Sequence, residues 1–215
     1  MINKSHWYDG WFYDFFISPN QDWLFSLIKE IIQPNSREID IGCGTGRFSL
    51  IISDKAQTVI GIDLSKRNIE MAKSKLLRNP IEKILFYHTS LKDIISQNLH
   101  FNYAVMTYVI HEVDEKDRVE LLKQLSLISD KIIIGDYLLP KPNVIWSTLN
   151  EVVEYFAGKE HYSNYKNFIQ TGGLTKLVDK AELEIIKEIK NKLLISHLVV
   201  LQNKALWNEL LLYPY

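Results

Sequence analysis

The sequence predicts an α/β fold: a doubly wound, mostly parallel sheet with helices on both faces. Three observations lead there. Short apolar runs alternate with segments of helical period along most of the 215 residues. The first such run, Glu38-Ile39-Asp40-Ile41, ends in a glycine turn, Gly42-Cys43-Gly44-Thr45-Gly46, which opens directly into a helical pattern. The last two runs are adjacent around Asn191-Lys192 and read as a hairpin-like pair, so the sheet closes on an antiparallel strand. Strands alternating with helices belong to parallel sheets covered on both faces.

Each element follows from its local pattern. Trp23, Leu24, Leu27, Ile28 and Ile31 recur at helical spacing ahead of Pro34, which places an amphipathic helix before the first strand. After the turn, Phe48-Ser49-Leu50-Ile51-Ile52 continues as a helix. A second strand at 58–63 leads into a helix whose Ile69, Ala72 and Leu76 share a face, with Ser65 as its cap and Asn79-Pro80 as its stop. Further strands are expected at 83–88, 103–108 and 131–136, with helices between them. A helix runs from Gly172-Gly173 to about Ala181, and strands at 183–192 and 194–204 bring the number to seven.

Two aromatic stretches break this rhythm. The segment 140–170 holds Trp146, Tyr155, Phe156, His161, Tyr162, Tyr165 and Phe168 and is expected as an insertion acting as a substrate lid. Residues 1–33 carry Trp7, Tyr8, Trp11, Phe12, Tyr13, Phe15 and Phe16 and are expected as an N-terminal helical cap. An anchor on the flank of the sheet or a dimer contact would explain these aromatics equally well. Otherwise 1–215 reads as one domain.

Composition narrows the partners. With 25 basic against 26 acidic side chains there is no basic field to hold nucleic acid or an anionic membrane. The single cysteine, Cys43, excludes an internal disulfide and a cysteine-based zinc cluster, which suits a reducing cytoplasm. No run approaches the roughly 18 apolar residues that span a bilayer, and the N-terminus has no apolar signal core. No metal site is expected. The apolar tail from Leu206 to Tyr213 would dock either on a partner subunit, making a homodimer, or on its own chain.

The glycine turn carries the functional signal. Glycine adopts positive φ and allows close approach to the backbone, so three glycines at alternate positions are poorly explained by packing alone. The helix behind them points unpaired N–H groups at whatever lies over the turn. Residues 38–46 resemble the first motif of the class I S-adenosylmethionine-dependent methyltransferases, and the order of elements up to Lys204 is similar to that family's. A dinucleotide-binding turn would want a third glycine where Arg47 stands.

The resemblance implies a Rossmann-like fold and S-adenosylmethionine as cofactor, with S-adenosylhomocysteine as product. It implies that Asp40, Gly42, Cys43, Gly44 and Gly46 pack against the methionine part, Asp40 holding the amino group. Asp63, at the end of the second strand, would accept both ribose hydroxyls, or else cap the helix beginning near Ser65. Leu64 would pack on the adenine. Ser90, beside Leu91, stands where the family often has an acid for the adenine amino group; Asp93 could serve instead, or Ser90 could simply start a helical turn. Thr107 and Tyr108 would line the methyl donor.

The acceptor side is less legible. His111, with Glu112 beside it, is the candidate catalytic base, and the competing reading packs its ring beneath the cofactor. Asp136, His161, Tyr162, Tyr165 and Tyr13 are candidate substrate contacts. The Asn/Asp-Pro-Pro-Tyr type of motif that holds a planar amino group is absent, which counts against nucleic acid as acceptor. The expected activity is methyl transfer to a small molecule. The alternatives are a protein methyltransferase, an inactive cofactor-binding accessory protein and a nicotinamide oxidoreductase.

Overall fold

The computed structural model describes residues 18–139, 158–191 and 196–204. The expectations for Tyr13 and the first seventeen residues, for Trp146, Tyr155 and Phe156, and for the tail beyond 204 lie outside them. The chain divides into two compact units, Met1–Thr107 and Tyr108–Tyr215.

The first unit runs α1 (Ser18–Ile31), β1 (Arg37–Ile41), α2 (Arg47–Ile52), β2 (Thr58–Asp63), α3 (Lys66–Arg78), β3 (Ile84–His88), α4 (Leu91–Ile95) and β4 (Phe101–Thr107). β1 lies parallel to β2, from Arg37 opposite Thr58 to Ile41 opposite Ile62, and parallel to β4 on its other side. β2 is parallel to β3 in turn. Ile39, Val59, Ile62, Ala104, Val105 and Met106 are almost wholly buried, which is why these strands read as continuous apolar runs. Ser65 caps α3 as the sequence predicts, its Oγ accepting from Asn68 N–H at 3.3 Å, and the helix ends before Asn79-Pro80.

The second unit runs α5 (Glu115–Ile128), β5 (Ser129–Tyr137), α6 (Lys159–Gln170), α7 (Gly173–Lys180), β6 (Leu183–Asn191) and β7 (Ser196–Asn203). β7 is antiparallel to β5, Ile132 facing Leu201 and Tyr137 facing Ser196, and antiparallel to β6. The last strand is therefore the inner one, and β6 forms the edge. The sequence explains that order. Leu198 to Leu201 are all buried, whereas Glu184, Lys187, Glu188 and Lys190 scatter charge along β6, and a bulge breaks its register between Ile185 and Lys187. Charge and bulges both discourage an edge from pairing with another chain.

Together the two units supply the seven strands of one mixed sheet, parallel except for β7, as the alternation predicts. The boundaries differ from expectation at β4, which ends at Thr107. Tyr108 leaves the strand with φ 55°, its N–H donating to Gly135 O at 2.8 Å. Among the described residues no helix is long and apolar enough to cross a membrane.

Candidate functional site

The glycine turn is built as its spacing requires. Gly42, Gly44 and Gly46 have φ of 67°, 54° and 78°, and the N–H groups of Gly42 and Cys43 both donate to Ile62 O, tying the turn to β2. The glycines serve different ends. A Cβ on Gly46 would stand 2.4 Å from the Phe86 ring, whereas a Cβ on Gly44 would meet nothing within 4 Å. Gly46 is thus needed for packing beneath the turn, and Gly44 borders open space above it. Cys43 is buried, and burial pushes its thiol well above the ordinary value, so it is no nucleophile.

Asp63 closes the turn from the β2 side. One carboxylate oxygen accepts from Gly44 N–H at 2.9 Å and the other from Ser65 N–H at 2.7 Å. It does not cap α3, because Ser65 does. These two bonds fix the direction in which the carboxylate faces. Leu64, next to it, is apolar yet 51% exposed. Thr107 is half-buried at the end of β4.

Asp40 lies beneath the turn, wholly buried, accepting a 2.6 Å bond from Ser49 Oγ. Burial, opposed by that hydrogen bond, pushes its carboxyl up to about 7. Glu38 is buried too, also pushed up to about 7 by burial, and its Oε2 has no partner. A carboxyl whose folded pKa is raised binds more protons folded than unfolded, so its contribution is complete below the unfolded value near 4 and is lost as pH rises toward 7. Ligand-free protein is expected to lose stability between pH 4.5 and 7, by about 1 kcal/mol per pH unit from each group. Asp40→Asn should flatten its share of that slope in urea titrations at successive pH values; an unchanged slope would contradict the assignment.

Ser90 is committed locally. It caps α4 in a reciprocal box with Asp93: Ser90 Oγ and Asp93 Oδ2 are 2.7 Å apart, Ser90 N–H donates to Asp93, and Thr89 Oγ1 donates to the same oxygen. Of the roles its position allows, this is the helical-turn one. Leu91 points into the core.

In the second unit, His111 is buried and its Nδ1 donates to both Asp136 oxygens, at 2.9 and 3.1 Å; Asp136 is wholly buried and also accepts from Tyr137 N–H at 2.7 Å. With Nδ1 donating, Nε2 is the basic nitrogen of the ring. Around it stand the rings of Tyr137 at 4.9 Å, His161 at 5.7 Å and Tyr165 at 6.1 Å. The described part of the predicted insertion is the regular helix α6. His161, Tyr165 and Phe168 form its buried stripe, while Tyr162 is half-buried beneath Lys166. Tyr108 is half-buried, and burial pushes its phenol up to about 12.

Arg118 gave no functional signal in the sequence. Its guanidinium is fully buried, donating to Val113 O at 2.8 Å, Asn164 O at 2.7 Å, Asn167 Oδ1 at 2.9 Å and His111 O at 3.4 Å, and lying over the Phe168 ring. Asn164 in turn donates to Glu112 O at 2.9 Å and to Asp114 Oδ1 at 3.0 Å. The loop carrying His111 and Glu112 is thereby fastened to α6. The only sequence sign is an arginine placed four residues before Leu122 and seven before Leu125, on the apolar stripe of α5.

Residues 39–128 match a family model described as a methyltransferase domain. An uncharacterized RNA methyltransferase of Mycoplasma mobile is 30% identical over 110 residues, covering 51% of this chain and 30% of that protein. The 23S rRNA (uracil-C5)-methyltransferase RlmD of Pectobacterium carotovorum is 30% identical over 66 residues, 31% of this chain and 15% of the relative. The chain thus spans under a third of the length of these curated relatives. Among solved structures, magnesium protoporphyrin IX methyltransferase of Synechocystis with bound S-adenosylhomocysteine superposes with a TM-score of 0.62 at 16% identity, covering 87% of this chain and 84% of that one. The N-methyltransferase NodS of Bradyrhizobium japonicum does so at 0.61 and 14%, covering 91% and 92%.

Proposed function

We propose that this chain is a class I S-adenosylmethionine-dependent methyltransferase that methylates a small organic acceptor, a reading supported by its fold and by the match of residues 39–128 to a methyltransferase domain. The observation that carries the cofactor assignment is the turn at Gly44. Its left-handed backbone faces open space, and the carboxylate of Asp63 is pinned at its rim, so a ligand with paired hydroxyls and a polar tail fits the groups present. S-adenosylmethionine, when bound, supplies a methyl group already activated on a sulfonium sulfur.

The chain's own residues then bind, orient and exclude water. Asp63 accepts the ribose hydroxyls, and Leu64 offers an apolar surface for the adenine. Asp40, beneath the turn, favours the cationic amino group. Gly42, Gly44 and Gly46 let the backbone approach the tail closely. On the acceptor side, His111 Nε2 takes the proton of an acceptor hydroxyl or amine, with the Asp136 carboxylate holding the ring and supporting the imidazolium that forms. The aromatic edges of Tyr137 and Tyr165 line the same cluster. An apolar or aromatic acceptor suits that lining.

A second reading, with RNA as acceptor, is favoured by the names of the sequence relatives. One experiment separates the possibilities. Calorimetry is expected to show S-adenosylhomocysteine binding with one site per chain, and a methyl-labelled donor is expected to label the metabolite fraction of a cell extract. Label entering only the RNA fraction would favour the second reading, and absence of any cofactor binding would sink both.

A further inference from the structure

His111, Glu112 and His161 each bring a ligand atom to within 4.8 Å of the other two. We propose that they form a binding site for a first-row divalent cation such as zinc or manganese. Two imidazoles and one carboxylate are a donor set for these metals, with further positions open to water or substrate oxygen.

Three features of the surroundings support this beyond the cluster itself. Asp136 accepts from His111 Nδ1, which fixes the tautomer that turns a basic Nε2 outward from the carboxylate. A carboxylate behind a ligating histidine is the usual device for orienting the ring and raising its basicity. Second, His161 Nδ1 and Glu112 Oε2 stand 3.8 Å apart. That is too long for a hydrogen bond, yet close to the roughly 3.4 Å between two donors that share one cation at about 2.1 Å. Third, the two segments that supply the ligands are already clamped together. Arg118 bonds the carbonyls of His111 and Asn164, and Asn164 bonds the carbonyl of Glu112. The ligands are positioned on a fixed backbone, so binding demands mainly a rotation of the exposed Glu112 side chain.

The chemistry this adds rests on the methyltransferase reading. An acceptor hydroxyl in an open position of the cation has its pKa lowered and loses its proton to solvent water, which favours oxygen as the methylated atom. His111 Nε2 then serves as a ligand, and the cation replaces it in promoting proton loss.

The site is tested on the full chain with metal alone. Titration with cobalt(II), followed by visible absorption, and with zinc and manganese, followed by calorimetry, is expected to give one saturable site per chain. Glu112→Gln and His161→Asn should each weaken it by 30-fold or more. Both variants are checked for an intact fold by thermal unfolding without metal, and for an intact donor site by S-adenosylhomocysteine calorimetry. No saturable binding by the wild type, or equal binding by wild type and folded variants, overturns the proposal. Cofactor binding is measured separately on the same samples, so failure of the cation site leaves the donor site standing, and the reverse.

Discussion

Replacing Asp63 by alanine is expected to weaken S-adenosylhomocysteine binding about 100-fold, equivalent to about 2.7 kcal/mol, in calorimetric titrations. Two losses combine. The ribose hydroxyls lose an ionised acceptor, and hydrogen bonds to charged groups contribute about 1.5–3 kcal/mol each. The Gly44 and Ser65 N–H groups also lose the oxygens that hold them at 2.9 and 2.7 Å, so the turn is no longer set before the ligand arrives. Asp63→Asn removes the charge and keeps one of the two backbone bonds, because its single amide oxygen accepts from Gly44 or from Ser65 but not from both. Roughly tenfold weakening is expected of it. A change below threefold in the alanine variant would remove Asp63 from the cofactor site and leave it a purely structural clamp.

The glycine turn and the carboxylate beside it were legible because their chemistry is local. Positive φ at alternate residues demands glycine, so Gly42, Gly44 and Gly46 announce the turn, and Asp63 stands at the end of the next strand in register with it. The same locality made Ser65 readable as a cap; Ser90, read both as an adenine contact and as the start of a helical turn, does start one. The contacts around His111 were not legible in this way. His111 meets Asp136 across 25 residues and Arg118 meets Asn167 across 49, and no spacing rule links such positions before the chain has folded. The sequence contains no compact run of histidines and cysteines, and the cluster of His111, Glu112 and His161 is assembled by tertiary contact. The strand ending illustrates a third limit: adjacency around Asn191 predicts the pair, but only the contrast between the apolar β7 and the charged β6 tells which of them lies inside.

Arg118→Met is expected to lower stability by about 3–4 kcal/mol in urea denaturation, a loss at the upper end of what one side chain contributes. Methionine fills much of the space of the arginine stem and avoids a large cavity, so the effect isolates the guanidinium. What is lost is the partner of four acceptors at once, among them the carbonyls of Val113 and Asn164 and the side chain of Asn167. A buried acceptor left unsatisfied costs about 1–3 kcal/mol. The Phe168 ring also loses the cation lying over it at 5.4 Å. Arg118→Lys keeps the charge but not the planar fork, and it should recover less than half of the loss, since a single ammonium cannot reach groups spread around a guanidinium. The damage should extend to the site, because Arg118 bonds the backbone of His111 and of Asn164, and Asn164 holds the backbone of Glu112. A folded Arg118→Met protein should therefore bind S-adenosylhomocysteine nearly as well as wild type while losing methyl transfer to its acceptor by tenfold or more. Equal losses in donor binding and transfer would instead mean that Arg118 supports the fold as a whole and has no separate role in placing the acceptor side.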